Sequence, residues 1–330
     1  MKLHEDKDAF QEFVQLTAQF MRVPESYVEK DYWVTRALKN LSVPEMSRHI
    51  VFKGGTSLSK AYGMINRFSE DIDLAICFGT VTGAQIKKSI SKAEALVAGD
   101  LVEVLDDIRI SKGSQFRKVV YQYPSVFDQE GMGQVGRHIL IETNSFTTPE
   151  PAEPRPICAL IAQALLEKGR AELVEQYELV EFQVMVLCVE RTLVEKIFGL
   201  VRASQEQDYA HALKQKIRHV YDVCMMLRHE RIKGFLDTEQ FLEMVEIVAD
   251  TDRRQFKGSC TWLLEPLHAA CLFAEAERVW GEIAEEFYGS FKDMLYDDDI
   301  PDQDEVIQVL QRLGKCLERF HVETSTKASC

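Results

Sequence analysis

The sequence predicts an α+β fold in its first half and a mainly helical fold in its second. Strand-like patterns are concentrated in the first 150 residues, where they alternate with helical ones. The segment 149–156 contains four prolines in eight residues, which is typical of a linker, and the periodicity beyond it is almost entirely helical. We therefore expect an N-terminal domain over residues 1–150 and a helical C-terminal domain over residues 151–330.

The N-terminal domain is predicted to comprise a helical lead-in, residues 1–45, and a sheet within residues 50–146. Apolar residues recur at helical spacing in the first 40 residues and predict two helices, the second of which begins at Pro24. A short apolar strand at 50–52 leads into a Gly-Gly pair, and a helix is predicted for 57–65. The remaining patterns predict strands at 71–76, 116–123 and 137–142, a helix at 85–98 and a hairpin turn at 111–114.

The C-terminal domain is predicted to be built from long helices. Their expected ranges are 157–168, 191–203, 208–229, 238–248, 267–288 and 305–320. Residues 184–189 form an apolar run that is compatible with either a strand or the start of the next helix. The helical pattern by itself indicates no particular chemistry.

Composition argues against several classes of protein. The net charge of −14 argues against a protein that coats nucleic acid through bulk electrostatics, although a local groove of Lys and Arg is compatible with it. The eight cysteines and eight histidines are dispersed and show neither metal-binding spacing nor a disulfide framework. No apolar run approaches the roughly 18 residues that span a membrane, and the first residues lack the apolar stretch of a signal peptide. We therefore expect a cytoplasmic protein with no membrane partner.

Two carboxylates two residues apart are the first candidates for a functional site. On the predicted strand 71–76, period-two geometry places Asp71 and Asp73 on one face. Neighbouring carboxylates repel each other, and a divalent cation relieves that repulsion. Mg²⁺ prefers carboxylate oxygens together with substrate phosphates, and such ions assist phosphoryl transfer. The pair therefore favours a metal site that binds a phosphorylated substrate.

The glycine pair before that strand is a candidate phosphate-binding turn. Gly54 and Gly55, between a strand and a helix, allow backbone N–H groups to approach phosphate oxygens, and a helix N-terminus favours negative charge. Thr56 and Ser57 add hydroxyl donors. A D-x-D pair or a Gly-Gly turn alone is common and usually structural. Strand, glycine turn, helix and D-x-D strand, in this order and within about 25 residues, are much more specific.

The residues that form this pattern resemble a known superfamily. Residues 51–76, VFKGGTSLSKAYGMINRFSEDIDLAI, are similar to motif I of the DNA polymerase β-like nucleotidyltransferases, in which G-[GS] precedes D-x-D. The fuller string resembles the AbiEii/AbiGii-type toxin nucleotidyltransferases of bacterial abortive-infection systems. Residues 29–33, EKDYW, are similar to that family's N-terminal signature. The resemblance spans roughly residues 25–230 and implies a polymerase β-like core with a mixed sheet.

The resemblance also implies further site residues. The superfamily places a third carboxylate on a neighbouring strand, where it completes the metal site and accepts the proton of the attacking hydroxyl. Glu142 in HILIE is the candidate, with a surface glutamate at a strand end as the structural alternative. A family lysine and a family aspartate match Lys196 in RTLVEKIFGL and Asp222 in RHVYDV.

Helical periodicity leaves both of these last residues open to a structural interpretation. Lys196 lies at the edge of a buried stripe, from which it either neutralises a triphosphate or remains a surface residue. Asp222 is predicted to lie opposite a buried stripe, where an i,i+4 ion pair with Arg218 is the structural alternative.

Other basic residues lie inside or beside the matching strings. Lys60, Arg67 and Lys30 are candidates either to contact phosphate or to stabilise the acidic site. Arg117 and Lys118 are predicted to point to opposite faces of their strand, so at most one of them faces the cleft.

The main hypothesis is an enzyme that transfers a nucleoside monophosphate from an NTP to an acceptor hydroxyl and releases pyrophosphate. The three carboxylates are expected to bind Mg²⁺ or Mn²⁺, residues 54–57 to bind the triphosphate, and Lys196 to neutralise its charge. The resemblance implies the 3′ end of a tRNA as acceptor and a toxin restrained by a partner antitoxin.

Two rival hypotheses stay open. A metal-dependent D-x-D glycosyltransferase explains the carboxylate pair but neither the glycine turn nor the third carboxylate. A catalytically silent nucleotide-binding or partner-binding protein is the other alternative, although such a protein would have no need of the repulsion between Asp71 and Asp73.

Overall fold

The chain divides into two compact units, each described here by itself. The computed structural model describes all residues except 43–48, 70, 78–82, 128–135, 147, 257–259, 297 and 321–330. Unit 1 contains Met1–Gly63 and Phe68–Leu187, and unit 2 contains Met64–Arg67 and Cys188–Cys330. The main division thus falls after Leu187 rather than at residue 150.

A mixed sheet forms the centre of unit 1. Within the described residues its strands are β1 (Ile50–Lys53), β2 (Asp71–Ile76), β3 (Val102–Glu103), β4 (Ser111–Lys112), β5 (Phe116–Gln122), β6 (His138–Asn144), β7 (Ala152–Ile157) and β8 (Phe182–Leu187). The strand order is β3-β5-β6-β2-β1-β8-β7, and β4 pairs with β5 off this path. The pairs β1–β8 and β2–β6 are parallel and the others are antiparallel. The predicted α+β class and mixed sheet are confirmed.

Strand alternation gives the sheet one apolar face. Ile72 and Leu74 of β2 join Val119 of β5 and Ile141 of β6 in a continuous core with Trp33. The described α-helices of unit 1 are α1 (Lys7–Met21), α2 (Glu25–Lys39), α3 (Gly54–Lys60), α4 (Gly83–Ala98), α5 (Leu160–Glu167) and α6 (Ala171–Gln176). Because side chains alternate along a strand, the residues between these apolar ones lie on the opposite face.

The proline-rich segment, expected to be a linker, is a strand of the sheet. Its residues Ala152–Ile157 form β7, which pairs antiparallel with β8 at one edge. Proline cannot donate a backbone hydrogen bond, and an edge strand tolerates that loss because one of its sides has no ladder. The proline content predicted a linker, and that prediction is wrong because these residues form an edge strand.

Unit 2 is helical. Its described helices are α7 (Val189–Ser204), α8 (Tyr209–Gln215), α9 (Ile217–Leu227), α10 (Glu230–Phe235), α11 (Glu239–Gln255), α12 (Cys271–Ala274), α13 (Ala276–Tyr288) and α14 (Gln303–Leu317), with short 3₁₀ turns between some of them. The helix predicted over 208–229 is two helices, and the one predicted over 267–288 is divided as well. Across the described part of the chain, no helix has both the length and the apolar character needed to cross a membrane.

A four-residue segment from the N-terminal half of the chain belongs to unit 2. Met64–Arg67 follows α3 and precedes β2 in the chain. The backbone N–H of Asn66 donates to the Tyr221 hydroxyl (3.3 Å), and its carbonyl accepts from the backbone N–H of Tyr296 (2.8 Å). Arg67 forms an isolated antiparallel bridge with Leu295. The helix predicted over 57–65 therefore ends at Lys60, before this segment begins.

Candidate active site

Asp71 and Asp73 lie on the face of the sheet opposite the apolar core. Both are half-buried, whereas Ile72 between them is fully buried. This alternation agrees with the predicted strand and the predicted shared face. The two carboxylates therefore project from one short segment of β2.

Glu142 lies on the same face, one strand away. β2 and β6 are parallel, and their register sets Asp73 directly opposite Glu142. Side chains of directly opposed residues project from the same face of a sheet. Because β6 continues to Asn144, Glu142 is not the last residue of its strand. Three carboxylates thus share one face of two neighbouring strands.

Two lysines flank these carboxylates in the register of the sheet. β5 pairs Lys118 with Glu142, and β1 pairs Lys53 with Asp73, so one row across four strands reads Lys118, Glu142, Asp73, Lys53. Lys118 forms a salt bridge with Glu142. Burial alone would lower the pKa of Lys118, but the hydrogen bond and charge of Glu142, with the charges of Asp71 and Asp73, raise it above its usual value.

Gly54 lies directly against one of the carboxylates. Its φ is +80°, and a Cβ at this position would lie 2.0 Å from Asp73 Oδ2 and 2.8 Å from Asp73 Cγ. A side chain at residue 54 would therefore be strained and would also collide with Asp73. The glycine turn and the carboxylate strand are in contact, as a shared phosphate and metal site requires.

The hydroxyl groups of the glycine turn bond within the protein. Thr56 Oγ1 lies 2.5 Å from the Asp71 carbonyl oxygen and 2.9 Å from Ser69 Oγ, and Ser57 Oγ donates to the Gly54 carbonyl at 2.8 Å. Both side chains are buried. These bonds stabilise the turn and the start of β2.

The other basic candidates of unit 1 are also engaged. Lys60 forms a salt bridge with Asp31, whose second oxygen accepts the backbone N–H of Leu160 at 2.8 Å. Lys30 donates to the Gly136 carbonyl at 3.2 Å. Arg117 pairs with Glu94 of α4. The prediction that Arg117 and Lys118 face opposite sides of the sheet is confirmed, and Lys118 is the one on the carboxylate face.

Unit 2 contains a buried cluster of Arg67, Asp222 and Lys196. Arg67 binds Asp222 with two parallel hydrogen bonds, Nε to Oδ1 at 2.6 Å and Nη2 to Oδ2 at 2.8 Å. Lys196 Nζ lies 2.7 Å from Asp222 Oδ2. The exposed fractions of these side chains are 4%, 0% and 8%. The cluster holds two positive charges against one negative charge.

The position of Asp222 corrects the expectation drawn from helical periodicity. That expectation assumed one continuous helix over 208–229, but α8 ends at Gln215 and α9 begins at Ile217, so the phase of the stripe is not continuous. Asp222 is fully buried, and Arg218 is exposed and is not among its salt-bridge partners. The surface alternative for Lys196 also fails, since that residue is buried.

The two cations determine the charge state of the buried aspartate. Burial would raise the pKa of Asp222, but Arg67 and then Lys196 hold it below its usual range. The pKa of the neighbouring His219 is lowered as well, but in a histidine a lower pKa favours the neutral form. Burial, followed by the charges of Lys196 and Lys216, lowers its pKa well below its usual value. The aspartate is therefore ionised and the histidine neutral at physiological pH.

The carboxylate face has the donor chemistry of a divalent-cation site. Asp71 and Asp73 project together beside the glycine turn, and Glu142 supplies a third oxygen donor one strand away. Within the described ranges, however, no three Asp, Glu, His or Cys side chains are already arranged as a metal-binding group. The residue types fit the cation, while Glu142 is bound to Lys118.

A match to a known protein family gives the class of the protein, a nucleotidyltransferase. The sequence model described as "Nucleotidyl transferase AbiEii toxin, Type IV TA system" matches residues 36–309. Since this match covers most of the chain, the protein belongs to that family of toxins from type IV toxin–antitoxin systems. The match extends well beyond residue 230, where the resemblance read from the sequence ended.

A solved structure agrees with this assignment at the level of the fold. MenT4, a nucleotidyltransferase toxin from Mycobacterium tuberculosis H37Rv, is similar to the chain with a TM-score of 0.50 and 14% sequence identity. The similarity covers 91% of this chain and 98% of that one. At this identity the comparison shows a common fold. A search of curated proteins finds no match to the chain.

Proposed function

We propose that this protein transfers a nucleoside monophosphate from an NTP to an acceptor hydroxyl. The acceptor oxygen forms a bond to the α-phosphorus, the bond from that phosphorus to the bridging oxygen breaks, and pyrophosphate leaves. The observation that supports this most directly is the register of Asp73 and Glu142 on neighbouring strands, with Asp71 on the same face and Gly54 against Asp73.

Each residue of the carboxylate face has a role in the proposal. Asp71, Asp73 and Glu142 hold the divalent cation, Mg²⁺ or Mn²⁺, and Glu142 accepts the proton of the acceptor hydroxyl. When bound, such an ion neutralises charge on the phosphate oxygens and orients the reacting groups. Gly54 allows Asp73 to lie against the turn, and the backbone N–H groups of the Gly54–Gly55 turn bind the triphosphate in this proposal.

The buried cluster of unit 2 supports the assignment of Lys196 as a counter-charge for the triphosphate. Asp222 is shared by Arg67 and Lys196, so these three side chains together carry one net positive charge. Buried excess positive charge attracts anions. In this proposal Asp222 does not touch substrate, because its carboxylate is fully enclosed, and it acts by fixing the position of Lys196.

The acceptor and the partner are proposed from family membership. We propose the 3′ end of a tRNA as the acceptor and a cognate antitoxin as the partner that restrains the activity. A single acceptor groove of Lys and Arg remains compatible with the overall charge of −14.

The test is transfer of label from NTPs to RNA. Purified protein is incubated with each α-labelled NTP, Mg²⁺ and total tRNA, and the label in RNA is measured for the wild type, Asp73→Asn and Asp100→Asn. The substitution Asp73→Asn is expected to lower transfer by at least about a hundredfold, because stabilisation by a bound ion is worth several kcal/mol. Asp100→Asn removes an exposed carboxylate paired with Arg36 and should leave transfer unchanged.

Two other outcomes would change the proposal in different ways. Label that enters protein rather than RNA, and is lost in Asp73→Asn, would keep the reaction and replace the acceptor. If no NTP were consumed and nucleotide bound equally to the wild type and Asp73→Asn, the silent nucleotide-binding alternative would be correct.

A further inference from the structure

The third carboxylate already has a positively charged partner. Lys118 on β5 is directly opposite Glu142 on β6, on the face that also carries Asp71 and Asp73. The two side chains form a salt bridge in which both are about three-quarters buried, with 27% and 24% of their surfaces exposed. The Lys118 ammonium group therefore lies next to Glu142, on the side away from Asp73.

Among the residues that the structure describes, Glu142 is the carboxylate with which Lys118 forms a salt bridge. On the same hairpin, Lys112 pairs with Glu103, and Arg117 pairs with Glu94 on the other face of β5. The two aspartates of β2 act on Lys118 through their charge, whereas Glu142 also hydrogen-bonds with it. Glu142 is thus the carboxylate that Lys118 holds.

We propose that Lys118 competes with the divalent cation for Glu142. Resting on the proposed function, this inference adds a residue that controls how the site is completed. The salt bridge holds Oε1 of the third carboxylate in the free protein, and a cation that takes this oxygen as a ligand has to weaken or displace the bond to Lys118. Lys118 therefore weakens cation binding by the free protein, while Asp71 and Asp73 remain as the primary ligands.

Two physical effects determine whether removal of Lys118 raises or lowers the affinity for the cation. A lysine and a metal ion that share one carboxylate oxygen draw on the same negative charge and repel each other, and breaking a partly buried ion pair has a cost. Removal of the ammonium group removes both the competitor and a positive charge that repels the cation. Both effects act toward tighter cation binding in a variant without Lys118.

The experiment measures binding of Mn²⁺ to the free protein, read from the loss of the electron paramagnetic resonance signal of aqueous Mn²⁺. Lys118→Met is expected to lower the Kd for Mn²⁺ by about tenfold. Lys112→Met, which removes a lysine from the same hairpin but from a different ion pair, should leave the Kd unchanged. Lys118→Arg, which retains the charge and the pairing, should resemble the wild type and shows whether the site tolerates substitution.

A second arm separates competition for Glu142 from a general effect of charge. The Lys118→Met substitution is repeated in a Glu142→Gln background, where there is no carboxylate to compete for. Competition predicts that most of the gain in Mn²⁺ affinity disappears in that background, because only the loss of a repelling charge remains there. A gain of the same size in both backgrounds would overturn the inference, as would an unchanged or higher Kd in Lys118→Met alone.

Asp73→Asn distinguishes failure of this inference from failure of the proposed function. If Asp73→Asn abolishes Mn²⁺ binding but Lys118→Met does not alter it, the cation site stands and only the role of Lys118 is wrong. If the wild type does not bind Mn²⁺, or Asp73→Asn binds it equally well, the cation site on this face is wrong and both proposals fail.

Discussion

The two charged clusters of this protein are built on opposite principles. The carboxylate face of unit 1 sets Asp71, Asp73 and Glu142 against Lys118 and leaves all four partly exposed. The buried cluster of unit 2 sets two cations around Asp222 and encloses all three side chains. The first has an excess of negative charge and the second an excess of positive charge.

The carboxylate face is able to exchange its ionic partners, whereas the buried cluster is not. Half-buried carboxylates remain accessible to ions, and their mutual repulsion is relieved when a cation binds. A fully buried carboxylate with three charged contacts is fixed, and removal of any partner leaves a charge without compensation. We therefore expect substitutions on the carboxylate face to affect activity more than stability, and substitution of the enclosed Asp222 to have a large effect on stability.

The largest effect on stability is expected from Asp222→Asn. This change leaves Arg67 and Lys196 buried without their shared counter-ion and should lower the free energy of unfolding by about 3–5 kcal/mol. Urea denaturation is the measurement. Glu239→Gln, which breaks an exposed ion pair with Arg319 in the same unit, should cost less than about 1 kcal/mol. Equal losses in the two variants would contradict the contrast between buried and exposed pairs.

On the carboxylate face, Asp73→Asn is expected to cause no loss of stability. The amide has nearly the shape of the carboxylate, and it removes like-charge repulsion on the face. Its free energy of unfolding should therefore equal or slightly exceed that of the wild type in metal-free buffer. A loss comparable to that of Asp222→Asn would mean that Asp73 is mainly a structural residue.

The contact between Gly54 and Asp73 predicts an intermediate effect. Gly54→Ala places a methyl group against the Asp73 carboxylate, whereas Gly63→Ala shares the positive φ but meets nothing within 4 Å. Gly54→Ala should therefore lose about 1–3 kcal/mol more stability than Gly63→Ala, the usual cost of overpacking. It should also lower nucleotidyl transfer by about a hundredfold through displacement of Asp73. If both variants lost the same stability and the same activity, Gly54 would be needed only for its backbone conformation and not for its contact with Asp73.

The pH dependence of stability should reveal the charge of Asp222. Because the pKa of Asp222 is lower in the folded state than in the unfolded state, its contribution is complete above the unfolded pKa of about 3.9 and decreases as pH falls below it. The stability difference between the wild type and Asp222→Asn should be constant from pH 6 to 5 and should shrink by about 1 kcal/mol near pH 3. Unfolding followed by circular dichroism at each pH provides the measurement.

The smallest effect is expected from Lys60→Met. Lys60 lies inside the string that resembles motif I, but it is paired with Asp31 like the fixed residues of the buried cluster. If its role is structural, the KM for NTP should change by no more than about twofold, even though the variant is less stable. A large rise in the KM for NTP at unchanged kcat would instead indicate that Lys60 contacts the nucleotide.

The parts of the site that depend on local periodicity could be predicted from the sequence. The alternation of residues 71–76 predicted one face for Asp71 and Asp73, and the structure agrees. The pairing of Asp73 with Glu142 could not be derived in this way, because register between distant strands depends on the whole sheet. Lys118 was recognised only as one of two alternatives, since periodicity separates the faces of a strand without saying which of them is the core.

The expectation for Asp222 failed for a specific physical reason. The sequence around Gln215 contains neither proline nor glycine, so nothing in it indicated that α8 ends there and that α9 begins in a new phase. In addition, α9 is buried on almost all sides, so it has no clear solvent-facing stripe from which the burial of Asp222 could be predicted. Only the family resemblance identified Asp222, and it did not indicate Arg67 as the partner.

The path of the chain has a consequence for fragments of this protein. The polypeptide passes from one unit to the other after Gly63, after Arg67 and after Leu187, and Arg67 is bound to Asp222 within unit 2. A proteolytic cut after Leu187 therefore does not separate the units into independent pieces. The N-terminal fragment retains part of unit 2, and the C-terminal fragment lacks the arginine that neutralises its buried aspartate. Neither fragment therefore contains all the residues of both units when it is expressed alone.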